Sequence, residues 1–274
     1  MADTWRMDST RRAKAAQIDT TVPNAARVGD YMEGGRTNFE ADRRASRTLI
    51  AASPAVTEVI PALRAFHRRA VRYLTVEAGI RQFLDIGTRL DMSGNTHAVA
   101  QALAPDCRIV YTTSDPLVLS HARALAVSTP VGAVALLDAD AGDPGAILAG
   151  AAETLDLRRP VAIVLPATLA FVSDDAAAAK IMLSLTTGVP AGSYVALFHH
   201  ASDVDPSAAA TTRRWNAMSD QQITLRSRQQ LDALLTGLDP VPPGLVPITE
   251  WRPDPGDPDV EHAIPIYGAV ARKP

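Results

Sequence analysis

From residue 82 onward, short apolar runs alternate with segments of helical periodicity, and few architectures satisfy that order. The runs at 82–86, 108–111, 133–137, 161–165 and 193–198 are each followed by turn or polar residues, and the stretches 95–104, 117–126 and 176–187 have helical spacing. Strand, helix, strand at these intervals requires crossover connections, so the strands run largely parallel in one sheet with helices on both faces. The preceding stretch, 25–78, is helical in pattern, broken by Gly34-Gly35, Pro54 and Pro61, with Leu63, Phe66, Ala70, Val71 and Leu74 at helical spacing. Residues 1–22 lack apolar periodicity and read as a flexible or docked tail. Beyond the fifth run, 221–235 reads as one helix, 240–247 is punctuated by proline, and 264–270 reads as a final strand. The expected organisation is therefore a tail (1–22), a helical segment (23–78) and an α/β domain (79–274), the last two forming one cooperative unit. A chain of 274 residues with 47% hydrophobic side chains can bury one core with a modest accessory part.

Charge and cysteine usage narrow the partners. The formal net charge is −3, with Lys and Arg scattered among Asp and Glu, so the chain offers no basic footprint for a nucleic acid. Its one cysteine, Cys107, can form no internal disulfide and has no activating neighbour in sequence. The first residues are polar and charged, and no run approaches the roughly 18 apolar residues of a membrane span. The expectation is a cytoplasmic protein, off the membrane. The apolar N-terminal helices leave room for a homodimer.

In an open parallel sheet, ligands bind beyond the carboxyl ends of the strands, so the residues after each run are the candidates. After the first stand Asp85, Gly87 and Thr88, then Arg89 where a nucleotide-binding loop usually has a further glycine. Small residues there let backbone approach a ligand, although Asp-x-Gly equally describes a plain strand-to-helix turn. The second run ends at Asp115-Pro116. Its carboxylate either holds a ribose diol or caps the helix that begins at the proline. Asp138, Asp140 and Asp143 follow the third run without a partnering histidine, so an aspartate-rich turn explains them better than a metal; no metal site is expected. Asp140, next to Ala141, is placed to accept from an adenine amino group, and Pro166 opens the corresponding tip of the fourth run. His199 and His200 end the fifth run, and an imidazole there suits a general base, though adjacent strand residues point to opposite sides and only one can face a cleft. Asn95 and His97 stand where they could line a ligand pocket, although Asn95 also reads as a helix cap.

The chain resembles an actinobacterial family of S-adenosylmethionine-dependent methyltransferase-like proteins. The resemblance runs from about Pro23 to Pro274 and is carried by Pro23-Asn24-Ala25-Ala26-Arg27-Val28, Asp30-Tyr31, Gly34-Gly35, Asn38-Phe39, Asp42-Arg43, Arg81-Gln82-Phe83-Leu84-Asp85-Ile86-Gly87-Thr88, Asn95 with His97, Asp115-Pro116, His121-Ala122-Arg123 and Trp251-Arg252-Pro253. It implies a class I, Rossmann-like methyltransferase fold, a mostly parallel seven-stranded sheet with helices on both faces and an N-terminal helical lid. It also implies S-adenosylmethionine as cofactor and a small-molecule acceptor of specialised metabolism. Under it Asp85, Gly87 and Thr88 carry the methionine side, the end of the second strand the ribose, and Asp140 the adenine edge; Tyr31, Gly34, Gly35, Asn38 and Phe39 form the lid. Three positions depart from the family pattern: Arg89, Thr113 where an acidic residue is usual, and Ala170 where histidine is usual. These departures, expected at strand ends lining the cleft, leave a second reading open: a methyltransferase fold that moves no methyl group and acts as a cyclase, isomerase, lyase or ligand-binding protein.

Overall fold

The computed structural model describes residues 18–87, 90 and 94–274. Three helices lead: α1 (Ala25–Met32), α2 (Glu40–Ala52) and α3 (Val56–Val76). The alternating part follows as β1 (Gln82–Ile86), α4 (Thr96–Leu103), β2 (Arg108–Thr113), α5 (Pro116–Leu125), β3 (Ala133–Asp138), α6 (Pro144–Ala151), β4 (Ala162–Pro166), a 3-10 turn (Thr168–Phe171), α7 (Asp175–Thr187) and β5 (Tyr194–His200). It closes with α8 (Ala208–Met218), α9 (Arg228–Leu234), β6 (Asp239–Pro240), β7 (Val246–Pro247) and β8 (Ile266–Arg272).

The strands form one sheet in the order β3-β2-β1-β4-β5-β8-β6, with β7 also on β8. The first five are parallel, and β8 runs antiparallel against β5 from Tyr194↔Arg272 to His200↔Ile266. The order reverses between β1 and β4, which puts the crevice for a ligand at their carboxyl ends. Seven strands were expected and eight are present among the described residues, because the proline-punctuated stretch supplies two two-residue ladders to β8. Proline lacks the N–H that a longer central ladder needs, so these strands stop at two residues each.

Alternation along the strands splits the core in two. Leu84, Ile86, Val110, Ile163, Leu165 and Leu197 face Ile147, Leu185 and Leu231 on one side. Phe83, Ile109, Tyr111, Val164, Ala196 and Phe198 face Phe66, Leu74 and Trp251 on the other. Each side chain of this size taken fully out of water contributes about 1.5–3 kcal/mol, so both faces are bound firmly to their helices.

Two segments differ from expectation. Residues 221–235 do not form one helix; only Arg228–Leu234 does. Ser227 caps it by accepting from Gln230 N, while the Gln230 side chain reaches back to Ser227, and just before them Arg226 N donates to His200 O in extended backbone. Residues 18–22, assigned to the tail, dock where they are described: Arg27 Nη2 donates to Asp19 O (3.0 Å) and Val22 O (2.6 Å). Among the described residues no single helix is long and apolar enough to cross a membrane.

Candidate functional site

The ends of all five parallel strands open into one cavity of about 1140 Å³. Ile86 and Gly87 reach it from β1, Thr112 and Thr113 from β2, Ala139 and Asp140 after β3, Pro166 and Thr168 after β4, and Phe198 and His200 from β5. Position 87 must be glycine: its φ is +99°, and a Cβ there would stand 2.6 Å from Thr168 Oγ1. Gly87 N donates to Thr112 O (3.0 Å), and the Thr168 hydroxyl donates to Ile86 O, so the β1 tip is held from both neighbouring strands. Thr112 is 1% exposed, yet its Oγ1 has no hydrogen-bond partner among the described residues. A buried hydroxyl left unsatisfied costs about 1–3 kcal/mol, so one that lines a cavity marks a place for a ligand atom.

Asp115 is a helix cap and also stands on the cavity wall. Oδ1 accepts from Leu117 N (2.8 Å) and Val118 N (3.0 Å), capping α5, while Oδ2 faces the cavity side and accepts from Asn24 Nδ2 (2.9 Å). Thr113 also lines the cavity, its Oγ1 accepting from Asp115 N (3.1 Å). Asp140 Oδ1 accepts from Gly142 N (2.6 Å), which shapes the turn after β3 and keeps Asp140 and Ala141 on the cavity wall. Asp143 caps α6 through Ala146 N. Pro166 lines the cavity as expected. Thr88 and Arg89 lie outside the described residues.

Asp85 does not line the cavity. It shares its strand face with Phe83, and its Oδ2 accepts from Thr96 Oγ1 (2.5 Å), which lies 3.1 Å from His67 Nε2. It thus orders the start of α4 below the loop. Ala170 does not line the cavity either: it is fully buried beside Leu169, and its carbonyl accepts from Thr224 N (2.8 Å).

The two strand-end histidines separate as alternation requires. His200 projects into the cavity, where burial pushes its pKa down to about 4 and keeps the ring neutral at neutral pH. His199 is on the opposite face and fully buried, which removes it as a base acting in the cavity. Its Nε2 lies 2.8 Å from Arg226 Nη1 and its Nδ1 2.9 Å from His200 O. A guanidinium only donates, so Nε2 accepts and the proton sits on Nδ1, donated to the carbonyl. His97 likewise packs away from the cavity; its backbone N–H donates to Tyr111 Oη (2.8 Å), and its Nδ1 lies 2.8 Å from the same oxygen.

The helical prelude does cover the cavity, but through residues other than those expected. Val28, Gly29 and Met32 of α1, Leu49 of α2 and Val59 and Leu63 of α3 form its roof. Tyr31, Gly34, Gly35, Asn38 and Phe39 do not line it. They build the turn behind α1, where Asp30 Oδ2 accepts from Thr37 N (2.8 Å) and Asn38 Nδ2 (2.7 Å), and where a Cβ on Gly35 would strike Asp30 Oδ1 at 2.2 Å. Arg27 lies over the Phe39 ring, 5.3 Å from its centroid.

Sequence reasoning missed most of the far wall. Phe171 and Asp205 fall in the stretches after the fourth and fifth runs, where lining residues were expected, but Lys180 of α7 and Trp215 and Asp220 around α8 line the cavity as well. This wall is tied to the roof: Ala25 N donates to Gln221 Oε1 (2.7 Å) and Ser219 Oγ to Pro23 O (2.9 Å), across nearly 200 positions of sequence. No local pattern announces such a closure. The one cluster with metal-ligand spacing among the described residues, Glu58, Glu261 and His262, lies off the cavity, and there Glu58 serves to clasp the chain by accepting from His262 Nδ1 (2.6 Å) and Glu261 N (2.9 Å).

Known proteins agree with this architecture. A family model described as S-adenosyl methyltransferase matches residues 11–274. A DUF574-family protein of Streptomyces avermitilis is 39% identical, with 94% of this chain and 100% of that one covered and a TM-score of 0.90. A Thermobifida fusca protein solved as a candidate methyltransferase is 32% identical, with 93% and 96% covered and a TM-score of 0.85. No curated protein matches the chain.

Proposed function

The chain belongs to the S-adenosyl methyltransferase family, and from that premise we propose that it moves a methyl group from S-adenosylmethionine to a small molecule held in the cavity beneath the helical roof. Its cofactor is S-adenosylmethionine, whose sulfonium supplies an already activated methyl group, so the protein's task is alignment and the exclusion of water. The observation that carries the reading is the meeting of five strand tips in one roofed cavity at the point where strand order reverses.

The residues at those tips fit the cofactor. Gly87 leaves room that any side chain would fill, and the Thr112 hydroxyl is buried without a partner beside it. The ribose is assigned to Thr113 and the Asp115 Oδ2 edge, and the adenine amino group to the Asp140–Ala141 turn. Thr113 gives the ribose a neutral hydroxyl where the family usually presents a carboxylate. A charge-assisted hydrogen bond contributes about 1.5–3 kcal/mol, so Asp115 becomes the one carboxylate at the β2 end able to supply it.

His200 is assigned the role of proton acceptor for the substrate. It is neutral at neutral pH, it faces the cavity, and no hydrogen bond engages its ring among the described residues. The assignment of the cavity to a specialised-metabolism acceptor, and of the protein to the cytoplasm, rests on the same reading. The reading of a fold relative that transfers no methyl group gains nothing from the matched proteins.

Isothermal titration of the full chain with S-adenosylmethionine tests the proposal. Binding with one site per chain is expected, and Thr113→Asp, which restores the usual acid, is expected to tighten it. No binding at millimolar cofactor would remove the assignment.

A further inference from the structure

A ribose presents two adjacent hydroxyls, and a carboxylate with both oxygens free can accept from each of them. The tip of β2 has no such carboxylate. Position 113 is threonine, and Asp115 Oδ1 is spent on Leu117 N (2.8 Å) and Val118 N (3.0 Å). Only the Oδ2 edge of Asp115 remains, and it already accepts from Asn24 Nδ2 (2.9 Å). The tip is nonetheless built toward a ligand. Thr112, next to Thr113, lines the cavity, is 1% exposed, and its Oγ1 has no hydrogen-bond partner among the described residues.

Asn24 stands on the cavity wall with Thr112, Thr113 and Asp115. Its Oδ1 accepts from Ala26 N (2.9 Å) and Arg27 N (3.3 Å), which fixes the amide plane and leaves the NH2 group pointing to β2. An amide nitrogen carries two N–H bonds. One goes to Asp115 Oδ2, and the other has no acceptor among the described residues. The backbone around it is pinned from several sides. Asn24 N donates to Asp42 Oδ1 (3.0 Å), whose fully buried carboxylate is paired with Arg27; Ser219 Oγ donates to Pro23 O (2.9 Å), and Ala25 N to Gln221 Oε1 (2.7 Å). A donor held this way loses little freedom when a ligand meets it.

We propose that Asn24, a residue of the helical roof, is the second half of the ribose site: one hydroxyl of the diol donates to Asp115 Oδ2 and the other accepts from the free N–H of Asn24 Nδ2. The assignment rests on the reading of the cavity as the S-adenosylmethionine site. An acceptor and a donor side by side match a vicinal diol, in which each hydroxyl can play either part. Asn24 thereby makes up for the carboxylate missing at position 113. Because its two partners come from the roof and from the sheet, the ribose is gripped from both only while the roof sits on β2.

The test titrates S-adenosylhomocysteine and its 2′-deoxy and 3′-deoxy analogues calorimetrically into the full chain, with Asn24→Ser and Asn24→Asp beside the unchanged protein. Serine and aspartate both keep a cap on α1, and neither carries the amide N–H. In the unchanged protein, loss of either hydroxyl is expected to weaken binding about fivefold, the value of one hydrogen bond. Asn24→Ser should weaken the complete ligand by the same factor of about five, and Asn24→Asp, which sets a second carboxylate against Asp115, by more. The decisive comparison is between the analogues. The loss caused by Asn24→Ser should vanish for the one lacking the hydroxyl that Asn24 meets and persist for the other. Equal losses with all three ligands, or no loss with any, would overturn the assignment. Should neither variant fold, the unchanged protein decides alone: undiminished affinity for either deoxy analogue overturns it. A chain that binds neither S-adenosylmethionine nor S-adenosylhomocysteine removes the transferase reading and this assignment with it, whereas binding without the analogue pattern removes the assignment of Asn24 only.

Discussion

Asn24 Nδ2 donates to Asp115 Oδ2 at 2.9 Å, joining the first residue of the helical roof to the tip of β2 across 91 positions of sequence. The same Asn24 caps α1 through Ala26 N and Arg27 N, and the same Asp115 caps α5 through Leu117 N and Val118 N. One contact therefore links two helix starts and the place assigned to the ribose. Whatever draws on Asp115 Oδ2 also acts on how the roof is held.

Serine at position 115 separates the two duties of that aspartate. Asp115→Ser retains a cap for α5 and loses the bond to Asn24, a cost of about 1 kcal/mol, whereas Asp115→Ala loses both and costs about 2 kcal/mol. Both lose Oδ2, and both are expected to weaken S-adenosylmethionine by about tenfold, the value of one charge-assisted hydrogen bond. Thermal melting and calorimetry on the two variants measure each effect; serine with unchanged affinity would show that the carboxylate does not serve the cofactor.

Gly87→Ala places a Cβ 2.6 Å from Thr168 Oγ1 in a backbone conformation with φ of +99°. The strained conformation and the close contact together should destabilise the protein by about 1–3 kcal/mol and reduce cofactor binding more than either Asp115 variant. Adding Thr168→Ala removes the colliding hydroxyl and should recover part of the stability and none of the conformational cost. Urea unfolding of the single and double variants reads this directly.

Acid should unfold the protein earlier than its carboxylates require. His199 and His200 have pKa values lowered to about 4 in the folded chain, chiefly by burial, against 6.5 for a free imidazole. Above pH 6.5 both rings are neutral folded or unfolded and cost nothing. As pH falls from 6.5 toward 4 the unfolded chain takes up protons that the folded chain refuses, so stability declines through that window and levels below it. The loss for the buried His199 is about 3 kcal/mol by proton linkage. Denaturant unfolding at pH 7, 5.5 and 4.5 should show the decline, and His199→Gln, which can still accept from Arg226, should flatten it.

Arg226 is 1% exposed and holds four elements together: Nε donates to Asp175 Oδ1 (2.8 Å), Nη1 to Leu169 O (2.8 Å) and His199 Nε2, and Nη2 to Val172 O (2.7 Å). Replacing it with methionine leaves two carbonyls and an imidazole nitrogen without a donor. A loss of about 3–5 kcal/mol is expected, measured by urea unfolding. Because Arg226 touches the wall from behind and not the cavity, cofactor affinity in the folded fraction should change little.

Much of the architecture is written locally. The apolar runs of β1 to β5 and the helical spacing between them are enough to specify a parallel sheet with covered faces, because side-chain periodicity of two and of 3.6 residues is a property of short segments. Asp115 before Pro116 and Asp143 before Pro144 announce the starts of α5 and α6 in the same way, since a cap acts within three residues. The strand-end rule then places Gly87, Thr113, Asp115, Asp140, Pro166 and His200 at one crevice from sequence order alone.

Tertiary structure decided the rest, wherever a side chain's direction depends on a distant partner. Both histidines end the same run, and only the register of β5 against β8 and the donor of Arg226 turn His199 inward and leave His200 to the cavity. Asp85 reads as a ligand residue, yet Thr96 claims it; Asn38 and Phe39 read as a lid, yet Asp30 and Arg27 bind them into the turn behind α1. Trp215 and Asp220 gave no signal at all, since they matter only because the segment after α8 closes onto Ala25. Short-range periodicity determines which elements form; contacts across a hundred or more residues determine which of their faces a ligand meets.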